Sequence, residues 1–235
     1  MSKSLLVLGG SGSLGSEIVR FFKSNGWKTI SVDFRKSDIA EISLTITSSN
    51  EDQMKSIENE LTSQNIKVDA LVCAAGGWTG GDSNSDGYLD SVKKMIDMNL
   101  YSAFGAAFLG AKLLKPNGLI VLTGSLASIK PTSFMIAYGA TKAATHHIVK
   151  SLAQPDSGLP ANSTAVCILP QTLDTPANRS AMAGANFNDW TPLTEVAEKL
   201  YEWSEKVDTR PTSGSLIGFE TKNKSTTWAP ICLFK

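Results

Sequence analysis

A short apolar run, Ser4 to Leu8, opens directly into Gly9-Gly10-Ser11-Gly12-Ser13-Leu14-Gly15, and helical patterning follows over about 14–25. No other feature of the chain narrows its fold so far. Gly10, Gly12 and Gly15 make G-x-G-x-x-G between a predicted strand and a predicted helix. There, glycine permits a tight turn and a close approach of backbone to a pyrophosphate. The N–H groups and positive dipole end of the following helix then receive the anion. A loop that is only flexible has no reason to sit at this junction. Gly9, Gly10, Ser11, Gly12, Ser13, Leu14 and Gly15 are therefore assigned to a dinucleotide site.

The next strand agrees. Lys28 to Asp33 is predicted as β, and Asp33 closes it, 33 − 12 = 21 residues after Gly12. An acidic side chain at about that offset hydrogen-bonds the adenosine ribose. Its charge repels a 2′-phosphate, so NADH is expected, with NADPH the weaker cofactor. Phe34 and Arg35 are included in the cofactor set. Arg35 and Lys36 soften the preference if they face the ribose, or are solvated loop charges if they do not.

Strand-like runs recur near 4–8, 28–33, 41–46, 68–74, 118–123, 164–169 and 214–220, with helical stretches near 14–25, 50–64, 88–114, 138–153 and 193–206. Such alternation gives a parallel sheet covered on both faces. The expected fold is α/β: one Rossmann-like doubly wound domain over 1–235, with a mainly parallel sheet of seven strands. The chain's 235 residues suit a single core of this kind. One stretch, about 171–191, is rich in Asn, Ala, Pro and Thr and follows a strand's carboxyl end. It is expected to be a loop over the substrate.

Composition removes other classes. Lys+Arg and Asp+Glu each total 22, the net charge is zero, and no basic run appears, so no nucleic-acid partner is expected. No apolar stretch is long enough to span a membrane. Cys73, Cys167 and Cys232 lie far apart without metal-ligand spacing, so no metal is expected. Cys73 and Cys167 read as small core residues. An odd cysteine count without a framework suits a reducing compartment. The first strand begins by residue 4 and leaves no room for a leader, so the expected location is the cytoplasm.

The chemistry is carried by Tyr138 and Lys142, four apart on one face of a predicted helix. A phenol is a proton donor, and an ammonium beside it is expected to lower its usual pKa of about 10. An amphipathic helix with a solvated lysine is the bland alternative. His146 and His147, farther along that helix, are expected to point away from a site near its N-terminus and to serve packing or subunit contact rather than acid–base work. Trp203 and Trp228 read as packing residues.

Together the glycine turn and the Tyr138/Lys142 pair resemble the short-chain dehydrogenase/reductase family over nearly the whole chain. Two further positions are in register: Ser125, 138 − 125 = 13 residues before the tyrosine, and Asn99 in Met95-Ile96-Asp97-Met98-Asn99-Leu100. The resemblance implies a catalytic set of Tyr138, Lys142, Ser125 and Asn99. Tyr138 donates the proton. Lys142 stabilises the phenolate and holds the nicotinamide ribose. Ser125 hydrogen-bonds the substrate or the tyrosine, and Asn99 supports a water path that returns the proton. The cofactor set gains Ala74, Ala75, Gly76, Pro170, Thr172 and Leu173. Two departures stand out: the extra leading glycine of the turn, and Cys73-Ala74-Ala75-Gly76-Gly77 in place of the usual Asn-Ala-Gly.

These departures, with Gly76-Gly77-Trp78-Thr79-Gly80-Gly81, Leu169–Pro176, Trp190–Leu193 and Arg210–Leu216, resemble the family's pterin-reducing branch. That likeness implies a quinonoid dihydropterin (dihydrobiopterin) as substrate. Its tetrahydro product is the pterin cofactor of aromatic amino acid hydroxylases. Gly77, Trp78, Ser125 and Tyr138 would form the substrate site, with Trp78 stacking on the flat ring or else packing beneath its own loop. The likeness also implies a homodimer through two long helices, to which the small residues Ala103, Gly105, Ala106, Ala107, Gly110 and Ala111, with Ala140, Ala143 and Ala144, are assigned. The alternatives are a reductase of a small ketone or quinone, and a non-catalytic dinucleotide sensor.

Overall fold

The computed structural model describes residues 2–231; Cys232 lies outside them. Eight strands form one sheet in the order β3-β2-β1-β4-β5-β6-β7-β8. They are β1 (Ser4–Leu8), β2 (Lys28–Asp33), β3 (Ile42–Thr45), β4 (Val68–Cys73), β5 (Leu114–Thr123), β6 (Thr164–Pro170), β7 (Leu216–Lys222) and β8 (Ser225–Pro230). Neighbours pair in parallel until β8, which runs antiparallel to β7. The expected sheet of seven strands is thus corrected to eight. The added strand is a polar edge strand, with no apolar run to announce it.

Central strands are buried on both faces, which is why they read as unbroken apolar runs: all five residues of β1 are buried. On one face α1 (Ser13–Ser24) and α7 (Leu193–Glu205) pack with Ile18, Phe22, Leu200 and Trp203. On the other, α2 (Glu51–Ser63), α4 (Ser102–Leu113) and α5 (Ile136–Leu152) pack with Ile57, Leu61, Leu109 and Val149. Trp203 meets Trp228 edge-on, and Trp228 stacks on Phe219.

Two long elements differ from expectation. The helix read over 88–114 is α3 (Tyr88–Met95), a π-helical turn (Ile96–Tyr101) and α4 in succession. The loop read over 171–191 contains α6 (Pro176–Ala181), capped by Thr175 Oγ1, which accepts from Asn178 N–H at 3.1 Å. The base of this loop is fastened: Leu173 pairs with Thr191, and the buried Thr191 hydroxyl meets that of Thr221 at 2.8 Å. The small residues assigned to subunit contact are also corrected in part. Ala103, Gly105, Ala106 and Gly110 face the protein's own core; a side chain on Gly105 would meet Met54 and one on Gly110 would meet Ile120. What this stretch shows outward is Tyr101, at the end of the π-helical turn, and Phe104 on α4, each about half exposed.

Candidate active site

Strand order reverses between β1 and β4: the chain runs outward through β2 and β3, then returns to the far side of β1. Ligands of open α/β sheets bind at such a switch point, outside the carboxyl ends of the strands. A cleft of about 310 Å³ lies there, lined by Gly9, Gly12, Asp33, Phe34, Arg35, Ala74, Ala75 and Gly76, all assigned to the cofactor from the sequence, and by Ile46, Ser49, Met98 and Ser102.

The glycine turn fits a pyrophosphate. Gly9 takes φ +81, a conformation that favours glycine, and a side chain there would meet the Ala75 backbone at 2.5 Å. A side chain on Gly15 would strike the Gly9 carbonyl, and one on Gly12 would press on that same oxygen, at 3.3 Å. Gly12 lines the cleft and is the N-cap of α1. Leu14 turns into the core.

Asp33 is pinned by the same turn. Its Oδ2 accepts the Ser11 N–H at 2.9 Å. Arg35 lies alongside, its Nη2 donating to Ser11 O at 2.9 Å while Ser11 Oγ donates to Arg35 O at 2.8 Å. Carboxylate and guanidinium thus flank one turn. Pro170 ends β6, and Thr172 and Leu173 lead from it into the loop that pairs with Thr191.

Across the β4 and β5 ends sits the chemistry. Tyr138 and Lys142 lie on the first turns of α5, with Ser125 at the end of β5 facing them. Burial holds the Tyr138 phenol above its ordinary range, partly offset by a hydrogen bond with the Ser125 side chain. The expected lowering by Lys142 is not found. Lys142 is 5% exposed, its Nζ donates to Thr123 O at 2.8 Å, and burial lowers its own pKa. Tyr138 is thus a protonated phenol at neutral pH, the state a proton donor requires.

Asn99, in the π-helical turn, is 2% exposed. Its Oδ1 accepts the Gly77 N–H at 2.8 Å and its Nδ2 donates to Gly77 O at 3.1 Å and to Thr141 Oγ1 at 3.2 Å. Its side chain clamps the loop after β4 to α5. A side chain on Gly76 would lie 2.7 Å from Asn99 Oδ1 and 3.2 Å from Lys142 Nζ, so glycine there lets the loop close on both. Trp78 follows on the clamped loop. It is 60% exposed, which excludes a core role, and its Nε1–H points to Met135 Sδ at 3.3 Å. Phe134 is exposed beside it, tied by the Gly81 N–H to Phe134 O bond of 2.7 Å.

His146 corrects a sequence expectation. It does not turn from the site: its Nε2 accepts the Ser125 N–H at 3.2 Å. The signal was available, since His146 stands four residues beyond Lys142, on the face Lys142 shares with Tyr138. His147 is exposed, on a groove between α4 and α5 with Leu100, Phe104, Ala107 and Ala144. Cys73 and Cys167 are buried, and burial raises both thiols, Cys167 to about 12. No group of three or more His, Cys, Asp or Glu side chains able to hold a metal occurs among the described residues.

A glycine cradle at the switch point, with Ser125, Tyr138 and Lys142 beside it, defines a nicotinamide-dependent oxidoreductase site. The family model "short chain dehydrogenase" matches residues 3–186, and the chain belongs to that family, whose cofactor is NAD(P)H. Within it, the chain is 63% identical over 228 residues to a dihydropteridine reductase of Dictyostelium discoideum, covering 97% of this chain and 99% of that one. It is 25% identical over 229 residues to a benzil reductase ((S)-benzoin forming) of Saccharomyces cerevisiae, covering 88% and 86%. A solved short-chain dehydrogenase/reductase of Serratia marcescens shares the fold with a TM-score of 0.80 at 22% identity, covering 95% and 98%.

Proposed function

We propose that this chain uses NADH to reduce a quinonoid dihydropteridine to the tetrahydropteridine. The observation that carries the reading is the 63% identity across 97% of the chain to a dihydropteridine reductase. The site agrees with it. When bound, the nicotinamide supplies a hydride; the chain supplies a proton, a binding face and a dry cleft.

Tyr138, kept protonated by burial, gives its proton to a ring nitrogen of the substrate. Ser125 orients that hydroxyl. Lys142, buried near Gly76, is placed to hold the ribose of the nicotinamide and to stabilise the phenolate that proton donation leaves. Trp78 offers an exposed flat face for the pterin, on a loop that Asn99 fixes. Asp33 takes the adenosine ribose and disfavours a 2′-phosphate, with Arg35 opposing it, so NADH is preferred and NADPH accepted. Residues 1–235 act as one domain, with 171–191 covering the substrate. Two copies associate through the apolar groove between α4 and α5, and the enzyme works in the cytosol; among the described residues no helix is long and apolar enough to cross a membrane.

The test is NADH oxidation with freshly generated quinonoid dihydropterin, against the stable dihydro isomer and a simple ketone. Preference for the quinonoid substrate is expected. Preference for the ketone would instead match the likeness to the benzil reductase.

A further inference from the structure

We infer that His146 is a positioning residue: its neutral imidazole accepts the Ser125 backbone N–H and so fixes the Ser125 hydroxyl against the Tyr138 phenol. His146 is 4% exposed and its Nε2 lies 3.2 Å from Ser125 N. The approach is possible because residue 124 is glycine. A side chain there would lie 2.5 Å from His146 Nε2 and 2.8 Å from Cys167 Sγ, so imidazole and sulfur close on bare backbone.

Ser125 is held from both sides. Its N–H goes to His146, and its carbonyl accepts the Ser128 N–H at 3.2 Å as the turn over Leu126–Ile129 begins. With both flanking peptides fixed, the Cα–Cβ direction is fixed too, and the hydroxyl has only its own torsion left. Tyr138 is the group it then acts on: the serine side chain draws down the pKa of that phenol.

The arrangement requires a particular ring. An imidazole nitrogen accepts only when it carries no proton, so the single ring proton belongs on Nδ1. The surroundings maintain this state. The charges acting on the ring, Lys142 and Lys150 on its own helix, are both cationic and oppose imidazolium. Cys167 on β6, with Cys73 behind it on β4, is a thiol that burial keeps protonated. His146 therefore neither gives nor takes a proton in turnover; it acts through Ser125.

The first measurement uses the wild-type protein without substrate. Long-range ¹⁵N–¹H NMR of the two histidines, told apart with H147Q, is expected to show His146 protonated at Nδ1 with a free Nε2. A ring protonated at Nε2 overturns the inference. The second measurement is kinetic and rests on the proposed reductase reading. H146L is expected to lower kcat roughly tenfold or more, with the Kd for NADH within about twofold of wild type. H146Q carries an amide oxygen to the same N–H and is expected to recover most of that loss. In the S125A background there is no hydroxyl to position, so H146L is expected to cost less than about threefold more. An undiminished cost in that background, or an H146Q as impaired as H146L, refutes the role. Should H146L fail to fold, H146Q and the tautomer decide. A wild-type protein inactive on every pterin and ketone defeats the reductase reading and leaves the tautomer result standing.

Discussion

Asn99 and Gly77 are joined twice, the Gly77 N–H to Asn99 Oδ1 at 2.8 Å and Asn99 Nδ2 to Gly77 O at 3.1 Å. A side chain thus reproduces the two-bond pairing of a β-ladder and sets the loop that presents Trp78. Replacing Asn99 with Ala leaves two backbone groups without partners, a cost of about 1–3 kcal/mol each where no water replaces the amide. We expect a lower melting temperature and a KM for the pterin raised several-fold, with NADH affinity little changed. An equal loss of NADH affinity would place the damage in the cofactor cleft instead.

Tyr138→Phe keeps the ring and removes the donor. We expect kcat to fall by about 10²–10⁴-fold while NADH still binds. Stopped-flow turnover with fluorescence titration of NADH separates the two quantities, and an unchanged kcat sinks the assignment. Lys142→Ala should reduce both.

Asp33→Ala removes the acceptor of the Ser11 N–H and the charge facing Arg35. The ratio of kcat/KM for NADH to that for NADPH is expected to fall about tenfold or more, since one repulsive element is lost and a cation is uncovered. A wild-type protein that prefers NADPH would show that Arg35 governs the site.

Stability should fall in mild acid. Burial and two neighbouring lysines hold His146 near 4, below its ordinary 6.5. Between those values the unfolded chain binds more protons than the folded one, so stability rises with pH. This contribution is complete above pH 6.5 and lost as pH falls towards 4, to a total of roughly 3 kcal/mol. Urea melts across that window measure it, and H146Q should flatten the slope. An identical slope in the variant would assign the acid lability to other groups.

Phe104→Asp places a charge on the outward face of α4, where Phe104 is 53% exposed. If that groove is the subunit contact, sedimentation should shift from about twice the 25.1 kDa chain mass to the single chain. A stable wild-type monomer refutes the dimer outright.

What could be read from the residues, and what could not, divides along physical lines. Leu5 to Leu8 and Ala70 to Cys73 are buried on both sides, and such strands advertise themselves by continuous apolar sequence. The glycine turn is equally legible, because Gly9 and Gly15 answer steric demands that other residues cannot meet. β8 was not legible: Ser225 to Thr227 are polar, Pro230 ends the strand, and only pairing with β7 makes it one. α6 left a signal that went unused, a Thr175 cap followed by Pro176 at the first helical position. The contact of His146 with Ser125 spans 21 residues and depends on how closely β5 approaches α5. The state of Tyr138 was misread because a charge four residues away counts for less than burial, and Lys142 is engaged by Thr123.

The π-helical turn at Ile96–Tyr101 has a consequence for which changes this segment tolerates. A wide turn holds more residues than a regular one, so the stripes before and after it are out of phase. Asn99 meets Gly77 and Thr141 because of that offset. Deleting one of the neighbours of Asn99 between 96 and 101 would let the segment relax to an unbroken α-helix with its flanks near their present phase, because the wide turn spends one extra residue on nearly the same rotation, and Asn99 would lose the bulge that aims it at Gly77 and Thr141. The rest of the helix would survive such an edit, and the clamp would not. Length, more than identity, is what this stretch must keep.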